Sequence, residues 1–171
     1  MISRPESSEY SDYHVDYISR VPEGDVLGFL STQLDAYLHT LAHLSEERAS
    51  KPWQAGKWSL KQELGHLIDA ERIFSYRALC LSRGESQPLP GWDQDVYTPA
   101  GGFERRTLKD LTREFELLRR ANLLQFGNLT ADQAARRGTA SGNPLSVRAA
   151  LYVLAGHAQR HLDLIREHYL A

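Results

Sequence analysis

Three histidines are the side chains most able to do chemistry in this sequence. His157 and His161 are four residues apart in the segment from Leu145 to Ala171, whose apolar spacing predicts one continuous helix. Residues at positions i and i+4 lie one above the other on a helix face, with Cβ atoms about 6 Å apart. Both imidazoles could therefore reach one metal ion.

His66 is the best candidate for a third ligand, because it lies well inside a long amphipathic segment, near its N-terminal end. Three histidines with an open coordination position form a catalytic type of site for a divalent transition metal. Imidazole suits zinc and nickel, whereas magnesium and calcium prefer oxygen ligands. We therefore expect zinc or nickel. His168 is the rival ligand, although it lies about 10 Å along the axis from His161.

Other readings of these residues remain open. Two histidines at this spacing on a half-apolar helix can also be packed or surface side chains without a metal. His39 and His43 share the same spacing but lie away from the centre of their apolar seam, which favours exposure to solvent. The candidate proton acceptors beside a metal are three carboxylates: Asp69, Asp93 and Asp95.

Four amphipathic segments must position these side chains, and they predict an all-α four-helix bundle. The first runs from Glu23 to about Ser45, and the second begins at Ser59, where Ser59 and Gln62 fit a capping box. The third begins after Thr107 and ends at Gly127, followed by a short helix after Thr130. The fourth carries the histidine pair and is capped by Ser146.

The second helix has a carboxylate in its apolar seam. The seam runs through Leu60, Leu64, Leu67, Phe74 and Ala78, and Glu71 interrupts it. A structural role as a buried hydrogen-bond acceptor, for an arginine or a backbone amide, is favoured over a catalytic role.

Two links differ in kind from the helices. Residues 83–106 contain several Pro and Gly and predict a long crossover between the second and third helices, of the packed or functional type. The segment from Arg136 to Pro144 is polar and Gly-rich, and strands have little support anywhere in the chain. In the first 22 residues, Tyr10, Tyr13 and Tyr17 could anchor an extended or partly helical arm.

Composition excludes several classes of protein. The length predicts one domain, residues 1–171, with residues 1–22 as an N-terminal arm. Twenty basic and 22 acidic residues give a net charge of −2, which offers no basic surface for nucleic acid and no polybasic membrane signal. No apolar run approaches the roughly 20 residues that span a bilayer. A single cysteine, Cys80, indicates a reducing, cytoplasmic setting.

Several motifs together resemble the DinB-like family of four-helix-bundle metalloproteins, over nearly the whole chain after Val21. The motifs are Lys57-Trp58-Ser59, the segment Gly65–Phe74, the segment Pro90–Asp95, and Gly156-His157 with His161. The resemblance implies a divalent metal bound by His66, His157 and His161. It departs from the pattern of many relatives at Ala158 and Arg160, where they carry Glu and His. The resemblance also implies a homodimer.

The resemblance leaves the function divided between two hypotheses. Members of the family resemble thiol-dependent S-transferases and related isomerases, and others are described as metal-dependent hydrolases. The first hypothesis is thus an enzyme whose metal activates a low-molecular-weight thiol or a water molecule for attack on a small-molecule substrate. The second is a non-catalytic, stress-associated metal-binding protein, in which the ion holds the second helix to the last.

Overall fold

The computed structural model describes residues 2–170, and its core is a bundle of four long helices. Each bundle helix packs against two others, in the cyclic order α2, α6, α4 and α8, so α2 lies diagonally opposite α4 and α6 lies diagonally opposite α8. The bundle helices are α2 (Val26–Ala42), α4 (Leu60–Ser82), α6 (Leu108–Gly127) and α8 (Val147–Tyr169). The predicted all-α four-helix bundle is confirmed. Within residues 2–170, no helix has the length and apolar character needed to cross a bilayer.

The caps that the sequence predicts begin the helices where expected. The Ser59 hydroxyl accepts a hydrogen bond from the Gln62 backbone amide, and the Gln62 side chain accepts one from the Ser59 amide. Thr107 caps α6 and Ser146 caps α8 through the same kind of hydroxyl contact. Because each cap satisfies a backbone amide that the helix cannot, these residues fix the start of three of the four bundle helices.

Short elements connect and cover the bundle. The N-terminal segment contains two 3₁₀ turns and α1 (Val15–Ser19), which packs against α8. The crossover contains α5 (Gln94–Ala100) and the 3₁₀ turn Phe103–Arg105. The remaining short helices are α3 (Glu46–Ala49) and α7 (Ala131–Ala135), the latter being the helix predicted after Thr130. Of the three arm tyrosines, Tyr10 and Tyr17 pack against the core, but Tyr13 is 72% exposed.

The expectation that strands have little support is wrong for the segment before α8. There, β1 (Arg137–Ala140) and β2 (Asn143–Ser146) form an antiparallel hairpin, so α8 begins at Val147 instead of Leu145. Ser141 and Gly142 form the two-residue turn with φ values of 53° and 75°. Positive φ at both central positions matches the twist of a hairpin, and serine is not one of the usual residues there, so the turn was missed.

Glu71 is a structural residue, as predicted. Its Oε1 accepts hydrogen bonds from Nε and Nη2 of Arg119 at 2.8 and 2.5 Å, and its Oε2 accepts one from Asn122 at 2.7 Å. Arg119 is fully buried and also donates to the Gln33 side chain at 3.0 Å. This network links α2, α4 and α6 through one buried ion pair.

We expect Glu71→Ala to lower the free energy of unfolding by about 3–5 kcal/mol, because it leaves the Arg119 charge buried and unpaired. The double variant Glu71→Leu/Arg119→Met removes both charges and should recover most of that loss. As a control, Glu116→Ala breaks a more exposed contact on α6 and should cost less than about 1 kcal/mol. Urea unfolding followed by circular dichroism measures all three. A double variant less stable than Glu71→Ala would contradict this account.

The N-terminal segment is fixed to the start of α8 by a second buried carboxylate, Glu9. It accepts hydrogen bonds from the Ser146 hydroxyl at 2.6 Å and from Nε of Arg148 at 2.7 Å. Burial by itself would raise the pKa of Glu9, but the hydrogen bonds from Arg148 and Ser146 outweigh it and lower the pKa from 4.5 to about 2.

Because the pKa of Glu9 is lower in the folded state, its contribution to stability is present above pH 4.5 and is lost as the pH falls towards 2. The free energies of unfolding of wild type and Glu9→Gln should therefore differ most near neutral pH. That difference should shrink by on the order of 3 kcal/mol between pH 4.5 and 2. Denaturant titrations across this range measure it. A difference independent of pH would show that Glu9 has an ordinary pKa.

Candidate metal centre

The structure brings the three predicted histidines together inside the bundle. His66 comes from α4, and His157 and His161 come from successive turns of α8. One ring nitrogen from each residue lies within 4.8 Å of the other two. The Nε2 atoms of His66 and His157 are 2.9 Å apart. The cluster therefore links α4 to α8 through two buried histidines that are 91 residues apart in sequence.

A glycine before each of two histidines lets neighbouring segments approach the helices closely. A Cβ atom on Gly156 would lie 1.7 Å from the backbone oxygen of Tyr17, and one on Gly65 would lie 2.2 Å from the Phe103 ring. A larger residue at Gly156 would displace the backbone of α1, and one at Gly65 would displace the Phe103 side chain. Both Gly-His pairs thus place an imidazole directly beside a tightly packed contact.

Glu63 orients the third histidine. Nδ1 of His161 lies 2.7 Å from Oε2 of Glu63, a buried carboxylate one turn before His66 on α4. A proton on Nδ1 that is donated to Glu63 leaves the lone pair of Nε2 free to bind a cation. Carboxylates commonly fix ligating histidines in this way. Glu63 was not identified from the sequence, although its i, i+3 spacing from His66 places the two on one helix face.

The three imidazoles fit a tetrahedral metal ion after small adjustments. Nitrogen ligands at 2.0–2.1 Å from a tetrahedral zinc ion are about 3.3 Å apart. The ring nitrogens here are 2.9 Å apart in the closest pair and all lie within 4.8 Å of one another. The Nε2 atoms of His66 and His157 face each other at hydrogen-bond distance. Two facing lone pairs repel each other unless a proton or a cation lies between them. The Nδ1 atoms of both residues are buried and have no hydrogen-bond partner within residues 2–170. The donor set is therefore suited to a borderline-soft divalent ion.

Burial keeps two of the histidines neutral. Desolvation, followed by the charge of His161, lowers the pKa of His66 to about 3. Desolvation likewise lowers the pKa of His157 well below its usual value, with smaller contributions from His161 and His66. Since only the neutral ring can donate a lone pair to a metal, both residues are in the ligating form at neutral pH.

Aromatic rings surround the cluster. Trp58 and Trp92 lie against His66 with ring centroids 5.2 and 5.4 Å away, and Trp92 is nearly parallel to it. Tyr17 meets His157 edge to face at 5.4 Å. These rings replace water around the imidazoles and lower the local dielectric constant, which strengthens electrostatic interactions at the centre.

A cavity of about 490 Å³ adjoins the cluster on the side of His157. Residues from α1, α4, the crossover, the β-hairpin and α8 line it. Among them are Tyr17, Phe74, Arg77, Trp92, Ser141 and Val153. Its size is that of a small-molecule site. A ligand in this cavity would therefore touch a predicted metal ligand directly.

The three candidate proton acceptors lie in different places. Asp93 lines the cavity, where its side chain also caps α5 by accepting a hydrogen bond from the Asp95 amide at 2.9 Å. Asp95 is exposed and does not line the cavity. Burial raises the pKa of Asp69. The charged groups that influence this pKa are Arg72 and Glu114, not the histidines of the cluster. Asp93 alone of the three is in a position to meet a ligand.

The remaining histidines do not join the cluster. His168 stacks on Trp53 with ring centroids 3.9 Å apart, so the rival ligand is engaged elsewhere. His39 and His43 are exposed, as predicted, and contact each other at 4.8 Å.

Comparison with known proteins identifies the family. The family model of the DinB superfamily matches residues 30–165, which is most of the chain. The chain belongs to the DinB superfamily. The resemblance inferred from the Gly-His motifs is thereby confirmed. No curated protein sequence matches the chain.

Two solved structures share the fold of this DinB-superfamily protein. One is YfiT from Bacillus subtilis, described as a probable metal-dependent hydrolase with an unusual four-helix bundle topology. The two structures superpose with a TM-score of 0.73 and 16% sequence identity, and the match covers 97% of this chain and 91% of YfiT. The other is a mycothiol-dependent maleylpyruvate isomerase, with a TM-score of 0.69 and 13% identity over 90% of this chain. The match spans 63% of the isomerase, less than two-thirds of its length.

The contact between Glu63 and His161 generates a prediction about metal affinity. Glu63→Ala removes the acceptor that orients His161, and we expect metal affinity to fall about 10–100-fold. Glu63→Gln retains an acceptor oxygen without the charge and should fall between this variant and wild type. Competition with a chromogenic chelator measures the dissociation constants.

Glu167→Gln provides the matched control, since it changes the net charge equally on an exposed part of α8. Its affinity for the metal should equal that of wild type. If Glu63→Ala binds metal as tightly as Glu167→Gln does, Glu63 has no orienting role.

Proposed function

We propose that this DinB-superfamily protein is a divalent-metal-dependent enzyme in which His66, His157 and His161 hold the ion. The observation that supports this most directly is the convergence of three ring nitrogens within 4.8 Å at the wall of a cavity of about 490 Å³. A ligand-sized space beside three imidazoles is what a metal-assisted reaction on a small molecule requires. Zinc or nickel is the ion that suits the all-nitrogen donor set.

A divalent ion at this position would supply Lewis acidity, which lowers the pKa of a bound water molecule or thiol so that either becomes a nucleophile near neutral pH. The chain itself contributes orientation and exclusion of water. Glu63 holds His161 in one tautomer, Trp58 and Trp92 cover His66, and the cavity receives the substrate beside His157. Among the candidate acids, Asp93 alone lines the cavity and could accept a proton there.

Two nucleophiles are consistent with this arrangement, and the two structural neighbours correspond to them. The description of YfiT as a probable metal-dependent hydrolase supports activation of water. The mycothiol dependence of the isomerase supports a low-molecular-weight thiol as cofactor. A thiol coordinated to a metal loses its proton without a dedicated base. Because the Glu63 carboxylate is engaged with His161 and is not free to act as a base, thiol transfer is the first reaction to test.

A structural role for the ion is the second candidate, and one observation favours it. The three histidines join α4 to α8 in the buried centre of the bundle, so any ion they hold also cross-links the two helices. Binding to the native state alone stabilises a protein by mass action. In this case the ion would raise stability without any turnover.

The metal content of histidine variants tests the site itself. Protein purified without an affinity tag and reconstituted with zinc or nickel should hold about one ion per chain, and His66→Ala, His157→Ala and His161→Ala should each lose most of it. His168→Ala and His43→Ala serve as controls and should retain it. Elemental analysis with native mass spectrometry gives the stoichiometry. Unchanged metal content in the first three variants would overturn the proposal.

An activity screen separates the three roles. The metal-loaded protein is incubated with an aryl halide and a panel of low-molecular-weight thiols, and separately with an activated ester and no thiol. Turnover that needs a thiol and is lost in His161→Ala supports transfer, and thiol-independent hydrolysis lost in the same variant supports the hydrolase. Absence of turnover together with a large metal-dependent rise in Tm supports the structural role and contradicts the enzyme.

A further inference from the structure

Arg77 is a buried cation for which residues 2–170 provide no counter-ion. Lys61, Arg77 and Arg119 are the lysine and arginine side chains buried among residues 2–170. Lys61 and Arg119 each lie 2.5 Å from a carboxylate oxygen. No carboxylate within the same residues lies within 4.0 Å of the Arg77 guanidinium. Because an isolated charge in the interior is costly, buried charges in proteins are normally paired, so Arg77 breaks the pattern that the rest of this chain follows.

The guanidinium of Arg77 retains donors that the protein does not use. Its Nη2 donates to the Pro90 carbonyl oxygen at 3.0 Å and to the Ser141 hydroxyl at 2.7 Å, which fixes the side chain between the crossover and the β-hairpin. The Nε and Nη1 groups donate to no acceptor in the described part of the chain. A guanidinium carries five N–H groups, so the one on Nε and the two on Nη1 remain for a ligand. Because Nη2 already donates to two acceptors, a carboxylate here would accept a single charge-assisted hydrogen bond from Nη1 or Nε rather than a bidentate pair.

Arg77 lies in the wall of the same cavity as His157. The groups around it are aromatic rings and polar side chains with a single carboxylate. Phe74 contacts the guanidinium with its ring 5.3 Å away, and His14 has a pKa lowered by burial and then by the charge of Arg77. The one carboxylate in this wall, Asp93, is exposed and caps α5. An anion entering this end of the cavity would therefore meet an uncompensated positive charge.

We propose that Arg77 binds the carboxylate of an elongated organic acid whose opposite end reaches His157. Arg77 and His157 both line the cavity, and Arg77 lies eleven residues after His66 on α4, a rise of about 16 Å between the two backbone positions, so an acid held at Arg77 would extend along α4 towards the histidines. The fixed guanidinium of Arg77 holds the carboxylate end of the acid, and the aromatic walls hold its apolar middle. This assignment rests on the proposed function for what happens at His157, but recognition of the carboxylate does not need the metal.

The probe for this site is benzoate, compared with benzamide, which has nearly the same shape but no charge. Titrations followed by ¹H–¹⁵N spectra should give a dissociation constant for benzoate about tenfold or more below that for benzamide, the range expected for a charge-assisted pair. The Nε–H signal of Arg77, assigned by its absence in Arg77→Lys, should shift on addition of benzoate only. Equal affinities of wild type for the two probes would overturn the proposal without any variant.

Variants then separate recognition from structure. Arg77→Gln should bind benzoate no better than benzamide, and Arg77→Lys, which retains the charge without the guanidinium, should keep part of the preference. Arg83→Gln, which removes an exposed arginine near the end of α4, should behave as wild type. If Arg77→Gln folds and still prefers benzoate, the proposal is wrong. If it does not fold, the comparison of probes on wild type and on Arg77→Lys decides.

The same titrations on metal-loaded and metal-free protein distinguish this proposal from the proposed function. A preference for benzoate that depends on Arg77 and persists without metal supports the carboxylate site, whether or not any reaction is found. A preference that disappears with the metal and is unaffected by Arg77→Gln places the anion on the ion, and it overturns the role of Arg77 while supporting the metal centre.

Discussion

The close packing of α4 against α8 is the constraint on which the rest of this molecule depends. His66 and His157 meet only because the two helices face each other at that level, and the glycines before them allow Phe103 and the Tyr17 backbone to close over the contact. The packing also excludes water, which keeps both rings neutral and able to donate lone pairs. Looser packing at this level would separate the histidines and expose them to water, so the histidine cluster and the core are stabilised by the same contacts.

The buried charges of this molecule are of two kinds: those paired within the protein and one that faces the cavity. Glu71 with Arg119 and Glu9 with its arginine partner are pairs satisfied within the protein, and they hold α2, α4, α6 and the N-terminal segment in place. Such pairs make the removal of one partner costly, which gives the framework a defined arrangement. Arg77 differs because its charge faces a cavity and has no acid beside it in the described part of the chain. The cavity thus joins a neutral nitrogen-rich end to a cationic end, a polarity suited to an elongated acidic ligand.

Much of the fold was predictable because helices are encoded locally. The capping residues Ser59, Thr107 and Ser146 and the apolar seams identified the bundle helices, and the interruption of one seam by Glu71 indicated a buried partner. The hairpin before α8 was not found. Its strands are four residues each, and a Ser-Gly turn carries a weaker signal than Asn-Gly, so the periodicity of that segment was too short to recognise.

The sequence by itself determined which histidines share a helix face and which residues begin the helices, because spacing of three or four residues is a property of one segment. It also offered His66 as a partner for the pair on α8. Only the tertiary structure decided which side chains meet across segments: Glu63 with His161, Tyr17 with His157, and Arg77 with Ser141. These contacts join positions tens of residues apart, and they arise from how the helices pack, which no local pattern specifies.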